Sequence, residues 1–359
     1  MNNTIIIEVL KLYGIDADQV SWRSYGTGHI NSTYLISLEG QKQQFILQSI
    51  NQNVFKNPLV IAENVRLIGS YLREHHPEYL FIGSIPTKDG EEMAFVDETY
   101  WRLTNFVSNS IAYDTLSDPN QALEAAEQFG RLSKFLAGFD PSLLKPSISG
   151  FHDINLRYEQ FKVALDNASS DLKATASEQI GKALRHRFIV DYFNSYRNSP
   201  DFPDRVMHHD TKISNMLFDK STNTGLCVID LDTLMAGKFI SDLGDMMRTY
   251  LCAHSENEAD LDKIFIRIEY FEAIIIGYLK EMGSILTATE KDLILFSGKY
   301  LIYMQALRFL TDYLNGNIYY PIAYQGQNLV RTANQFKLLS EFFNKEKILQ
   351  SIVDKCLNT

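Results

Sequence analysis

His208-His209-Asp210-Thr211-Lys212-Ile213-Ser214-Asn215, followed fifteen residues after Asn215 by Asp230-Leu231-Asp232, decides how this chain is read. The pattern H-x-D-x-x-x-x-N, then an apolar run ending in Asp, is the arrangement used by kinase-type phosphoryl-transfer catalysts. Eight histidines, each needing Asp two residues on and Asn seven on, give about 0.03 chance matches. Transfer of a γ-phosphoryl group needs a carboxylate beside the acceptor hydroxyl, and that is the role expected of Asp210. It also needs hard oxygen ligands for the Mg²⁺ on the nucleotide phosphates, expected of Asn215 and Asp230. Lys212 adds positive charge where the transferring group spreads its own. His208 is expected to fix the loop by hydrogen bonds rather than to carry a proton. Asp242, twelve residues beyond Asp230, either accepts backbone N–H bonds from the catalytic loop or caps the helix it opens.

Outward from this stretch, Val206 to Asp232 forms a non-helical island: MLF and LCVID flank the turn DKSTNTG and read as a hairpin. Helical patterns surround it. The predicted helices are Asp118 to Ala137, opened by the cap and first-turn pair Asp118-Pro119, then Asp153 to Asn167, Ser177 to Asn198, Ile240 to Ala253, Leu261 to Met282, Glu290 to Leu314 and Asn328 to Phe343. Thr287 and Glu290 have capping-box spacing. The amino-terminal part differs in texture. Val20 to Tyr25, Thr33 to Leu38 and Gln44 to Gln48 are short, β-branched and aromatic-rich, and read as an antiparallel meander. A helix over Pro58 to Glu74 follows. Met93 to Asp97 and Tyr100 to Phe106 then form two strands joined at Glu98-Thr99. The chain opens on an amphipathic helix stopped by Gly14. The expectation is an α+β, two-lobed fold that breaks near residues 106 to 112: a small β-rich lobe over 1–107 and a larger, mainly helical lobe over 108–359 carrying the catalytic loop and the acceptor pocket.

Composition excludes several classes. The chain has 359 residues, 45% of them hydrophobic, with nine prolines and nineteen glycines, so it has material for a core and no signature of disorder. A formal charge of −10 argues against nucleic-acid or membrane-surface partners. Three widely spaced cysteines, Cys227, Cys252 and Cys356, fit neither a disulfide framework nor a zinc site, and point to a reducing, cytoplasmic setting.

Gly26-Thr27-Gly28-His29-Ile30-Asn31 sits between strand patterns, not before a helix, so it does not fit a dinucleotide fingerprint. It reads either as an ordinary glycine-rich hairpin turn or as a flap whose Gly26 and Gly28 bring backbone N–H groups over phosphates. These segments together, with YWRLTNFV and FSGKYLIYMQALRFLTDYLNGNIYY, resemble the aminoglycoside phosphotransferase and choline kinase-like superfamily, and within it the N-acetylhexosamine 1-kinases. The resemblance implies a protein-kinase-like fold that transfers the γ-phosphate of ATP to the anomeric hydroxyl of N-acetylglucosamine or N-acetylgalactosamine, with Mg²⁺. It implies nucleotide contacts at Gly26, Gly28, Asn31, Asn105 and Val107, and sugar contacts at Asp210, Arg308, Tyr319 and His29. Bottom-up, Arg308 can equally pair with Asp312 one helical turn on, and Tyr319 can be ordinary core. Asp232 is read as an outer-shell ligand. Gln48 stands where most of the superfamily carries a lysine or arginine for the α- and β-phosphates. Two other readings are choline, an aminoglycoside, homoserine or a methylthio sugar as acceptor, and a catalytically silent nucleotide-binding module.

Overall fold

Alternation of apolar residues along three amino-terminal strands lays down one face of a sheet. The structure, a computed structural model, describes residues 3–26 and 30–358. Strands β1 (Val20–Ser24), β2 (Ser32–Leu38) and β3 (Gln44–Ser49) pair antiparallel in sequence order. Short β4 (Ser84–Ile85), β5 (Ala94–Val96) and long β6 (Thr99–Asn105) complete the sheet, in the order β1-β2-β3-β6-β4 with β5 on β6. Helix α1 (Asn3–Leu12) packs Ile6, Val9 and Leu10 against Ile36, Phe45, Leu47, Trp101 and Leu103. Because successive strand residues point to opposite faces, Gln48 and Arg102 fall on the other side, directly across from each other in the β3–β6 register. Helix α2 (Pro58–His75) starts with Pro58 in its first turn, as expected.

One sequence reading shifts here. The β5–β6 turn is Asp97-Glu98, not Glu98-Thr99: both residues have positive φ, 51° and 55°, as a two-residue turn matched to strand twist requires. The helix α2 side chain Asn64 is buried, donating to the carbonyls of Lys145 and Leu234. This helps explain why residues distant in sequence fold with the sheet.

The Cα packing divides the chain into two units. One comprises residues up to Ile111 together with Gly138–Ser149 and Leu217–Ala236. In it the hairpin strands Met216–Asp219 and Gly225–Val228 pair, and β7 (Ser110–Ile111) adds alongside, Ser110 facing Asp219.

The second unit, Ala112–Ala137, Gly150–Met216 and Gly237 onward, is helical. It contains α3 (Pro119–Phe135), α4 (Ile154–Asn167), α5 (Ser170–Thr175), α6 (Ser177–Arg185), α7 (Phe188–Tyr196), α8 (Ile240–Tyr250), α9 (Ile268–Met282), α10 (Ala288–Asp292), α11 (Ile294–Leu314), α12 (Gln327–Asn344) and α13 (Glu346–Leu357). Helix α11 is buried along almost its whole length, which is why its sequence is apolar all round. Asp118 caps α3 in a full capping box with Gln121, and Thr287 with Glu290 does the same for α10. Three expected helices are shorter or broken. Ser177 to Asn198 divides at His186, whose Nδ1 lies 2.8 Å from the Lys182 carbonyl while its ring stacks on Phe343. Of Leu261 to Met282 only α9 is a full helix, because Ile264 and Ile266 are buried on alternate positions of an extended stretch after a single turn at Leu261–Lys263. The segment from Glu290 to Leu314 turns a corner at Leu293. The mixed α+β architecture, with a β-sheet lobe and a helical lobe, is as expected from the sequence.

Candidate active site

The loop 208–215 belongs to the helical unit and is tied to the first turns of α8. Asp242 accepts the backbone N–H of His208 through Oδ2 at 2.9 Å and of His209 through Oδ1 at 2.7 Å. The loop-acceptor alternative is therefore the one realised, since α8 has no side-chain cap at all. Thr211 N–H donates to Asp245 Oδ2 at 2.9 Å, and the Tyr250 hydroxyl donates to the Thr211 carbonyl at 2.5 Å. Burial pushes the Asp242 carboxyl up, to about 6, despite the nearby His208 and the two N–H donors. His208 acts within the loop: its Nδ1 accepts the Asp210 N–H at 3.3 Å and its ring meets Phe129 edge-on.

This anchoring presents Asp210 with two partners. Lys212 Nζ lies 2.8 Å from Asp210 Oδ2, and Asn215 Nδ2 donates to the same oxygen at 2.9 Å and to the Asp210 carbonyl. Burial raises the Asp210 carboxyl, but the Lys212 ammonium, His208 and the Asn215 amide outweigh it and hold the group below the ordinary carboxylate range. Asp210 is thus ionised at neutral pH, a hydrogen-bond acceptor for an incoming hydroxyl. With its N–H₂ turned to Asp210, Asn215 presents its amide oxygen elsewhere, the orientation a hard cation needs.

His209, at φ 66°, turns its ring into the helical unit. Ser241 Oγ bridges its Nδ1 at 2.6 Å and that of His152 at 2.5 Å. Gly237 lies against this ring, for a Cβ there would stand 2.4 Å from His209 Cε1. Phe151 packs edge-on to His209 and carries the Arg308 guanidinium over its face, 5.2 Å from the ring centre. Arg308 also faces Tyr320 at 5.6 Å and Tyr319 at 6.0 Å, and donates to Gln305. It makes no ion pair among the described residues. Asp312, its expected partner in the alternative reading, instead accepts the backbone N–H groups of Ile318, Tyr319 and Tyr320 and the Asn328 amide. Tyr319 is 59% exposed, so it is not core. Asp210, Lys212, Asn215, Arg308 and Tyr319 thus share one unit, connected through His209 and Phe151.

The remaining sequence-derived positions lie in the other unit. Gly26 has φ 80° and leads from Tyr25, whose ring meets Phe106 edge-on at 5.8 Å, which joins the end of β1 to the Asn105–Val107 segment. Asn105 ends β6 exposed, and the Val107 carbonyl accepts the Ser110 hydroxyl at 2.6 Å. Gly28 and His29 lie outside the described residues. Asp230 follows the hairpin with φ 60° and ψ 61°, a conformation uncommon for a side chain other than glycine and tolerated best by Asp and Asn. Asn31 is held at both ends of its amide: its Nδ2 donates to Asp232 Oδ2 at 2.7 Å, and its Oδ1 accepts the Asn51 N–H. The other Asp232 oxygen accepts from Arg102, so each oxygen of Asp232 has one partner in this unit. Glu63 pairs with Lys145 at 2.6 Å. Among the described residues no three His, Cys, Asp or Glu side chains gather into a self-sufficient metal site, and no helix is long and apolar enough to cross a membrane.

Sequence reasoning passed over Arg102, Ser241, His152 and Gly237. Arg102 carried a signal, an arginine in a strand predicted to be half apolar; the other three carried none, because their importance comes from neighbours remote in the chain.

Loop, hairpin and sheet together define a kinase-like phosphotransferase fold. The model of the phosphotransferase enzyme family matches residues 21–271, and the chain belongs to that family. Among solved structures, it is similar to a microcompartment-associated aminopropanol kinase, at 18% identity over 96% of this chain and 98% of that one, with a TM-score of 0.64. It is likewise similar to spectinomycin phosphotransferase in complex with ADP and spectinomycin, at 14% identity over 97% and 99%, TM-score 0.61. Choline kinase from Cryptosporidium parvum aligns over 100% of both chains at 14% identity, TM-score 0.53. At these identities the likeness is one of fold.

Proposed function

We propose that this phosphotransferase is a sugar 1-kinase that moves the γ-phosphate of ATP to the anomeric hydroxyl of N-acetylglucosamine or N-acetylgalactosamine. The observation that carries the reading is the Asp210–Lys212–Asn215 cluster, held by two backbone N–H bonds to Asp242. Asp210 accepts a hydrogen bond from the acceptor hydroxyl and takes its proton as the O–P bond forms. A carboxylate held below its ordinary range is a weak base, which suffices: the transition state is loose, and an anomeric hydroxyl is more acidic than an alkyl alcohol. Lys212 offsets charge on the transferring group, and transfer is in line without a covalent enzyme intermediate. Asn215 supplies an amide oxygen and Asp230 a carboxylate for Mg²⁺, which when bound neutralises charge on the nucleotide phosphates. Gly26, Gly28 and the Asn105–Val107 segment are proposed to hold the nucleotide; Arg308, Tyr319 and His29 are proposed to hold the sugar.

Arg308 supports a neutral acceptor over an amine. It is a cation framed by Phe151, Tyr319 and Tyr320, and the carboxylate nearest on its helix, Asp312, has its oxygens filled by N–H donors. An ammonium acceptor would there meet like charge. The overall charge of −10 is what favours the second reading, a cationic acceptor such as choline or an aminoglycoside. ADP release measured with N-acetylglucosamine, N-acetylgalactosamine, choline, ethanolamine and spectinomycin separates the two. Turnover on the hexosamines, with a phosphorus signal coupled to the anomeric proton, is expected. Fast turnover on an amine and none on either hexosamine refutes the acceptor assignment; absence of ADP release with every acceptor in the panel, nucleotide still binding, favours a silent module.

A further inference from the structure

Gln48 leaves the third strand without the lysine that kinase-type catalysts set against the α- and β-phosphates. The amide does not replace it, because both of its ends are committed within the unit: Nε2 donates to Thr33 Oγ1 at 2.9 Å, and Oε1 accepts Arg102 Nε at 2.9 Å. Gln48 is instead a positioning group for the arginine that faces it across the β3–β6 register. Arg102 is only 6% exposed, and its Nη1 pairs with Asp232 Oδ1. Asp232 in turn holds Asn31, at the exit of the glycine-rich turn, through its second oxygen. One connected network therefore joins the flap exit, the β3 position, the adjacent strand and the Asp230-Leu231-Asp232 turn.

A guanidinium has five N–H bonds in a rigid fork. Two of those of Arg102 have partners among the described residues, and Nη2 has none there. A buried, pre-oriented cation with part of its fork unspent is suited to phosphate oxygens, which arginine binds through paired N–H bonds. We propose that Arg102 is the cation that receives the donor's α- and β-phosphates, transplanted from the third strand to its neighbour, with Gln48 and Asp232 as its positioning residues. This inference rests on the nucleotide-dependent reading given above.

The test titrates ADP and adenosine, with Mg²⁺, into the full chain and its variants. Wild type is expected to bind ADP more tightly than adenosine. Arg102→Gln should weaken ADP about tenfold or more and adenosine by no more than about twofold. Adding Gln48→Lys to Arg102→Gln returns a cation to the third strand and should recover most of the ADP affinity. Loss of Arg102 alone leaves the buried Asp232 carboxylate unpaired; if that variant does not fold, Arg102→Gln with Asp232→Asn is measured instead, with the same selective loss of ADP expected. A folded variant with wild-type ADP affinity, or one that loses adenosine as much as ADP, overturns the role of Arg102 and leaves the nucleotide reading standing. A wild-type chain that binds neither ligand overturns both.

Discussion

Replacing Asp242 by Asn tests whether the catalytic loop is set by its anchor on α8. The carboxylate accepts two backbone N–H groups, one on each oxygen, at 2.9 and 2.7 Å, in a site only 1% exposed. An asparagine keeps one oxygen and turns an N–H₂ toward the other donor, and a buried donor left unpaired costs about 1–3 kcal/mol. A second effect opposes this. Burial lifts the Asp242 carboxyl from its ordinary 3.8 to about 6, so its contribution to stability is fully present below about 4 and lost as pH rises through 6, about 3 kcal/mol in all. At pH 7.5 the wild-type protein carries that cost and the asparagine variant does not. The two effects nearly cancel, so the urea midpoint should move little, by no more than about 2 kcal/mol equivalent. Turnover should not be spared. The orphaned N–H belongs to His208 or His209, next to Asp210, and kcat should fall about 10- to 100-fold with KM for the nucleotide little changed. Lowering the pH from 7.5 to 5 protonates wild-type Asp242 and weakens the same anchor, whereas Asp210, held below its ordinary range, stays mostly ionised. The wild-type kcat should therefore fall toward that of the variant as pH drops through about 6. A variant with wild-type kcat at pH 7.5, a loss matched by unfolding, or parallel pH profiles would refute the reasoning.

Asp210→Asn should lower kcat by about 10²–10⁴-fold while the full chain still binds ADP within about threefold of wild type; intact turnover removes Asp210 as the base. Gly237→Ala introduces a Cβ 2.4 Å from His209 Cε1 and 2.8 Å from Nε2, and should cost about 1–3 kcal/mol by chemical denaturation, an unchanged midpoint arguing that the ring moves aside freely. Arg308→Met should raise the KM for N-acetylglucosamine about tenfold or more without altering that for ATP; equal effects on both would assign Arg308 to general stability.

Much of the chemistry was legible because it is local. Asp210, Lys212 and Asn215 lie within one loop, so a short spacing brings Lys212 and Asn215 to one Asp210 oxygen once the loop is anchored on α8. Helix α3 was legible for the same reason, since Asp118 and Pro119 act on the turn that follows them. The break of Ser177 to Asn198 was not, because continuous helical patterning gives way there to His186 stacking on aromatic residues more than a hundred positions away. The αL turn at Asp97-Glu98 was misplaced by one residue because neither residue is the glycine or asparagine that usually marks such a turn.

Sequence alone marked the groups proposed here for phosphoryl chemistry, through short-range spacing and residue type. Tertiary structure decided their surroundings: that Asp242 receives the loop's N–H groups, that Asp312 is consumed by the backbone and leaves Arg308 without an ion pair among the described residues, and that Gln48 meets Arg102. Hydrogen bonds between residues 54 and 130 positions apart depend on strand register and on which faces are buried, and neither can be read from the order of residues on one strand.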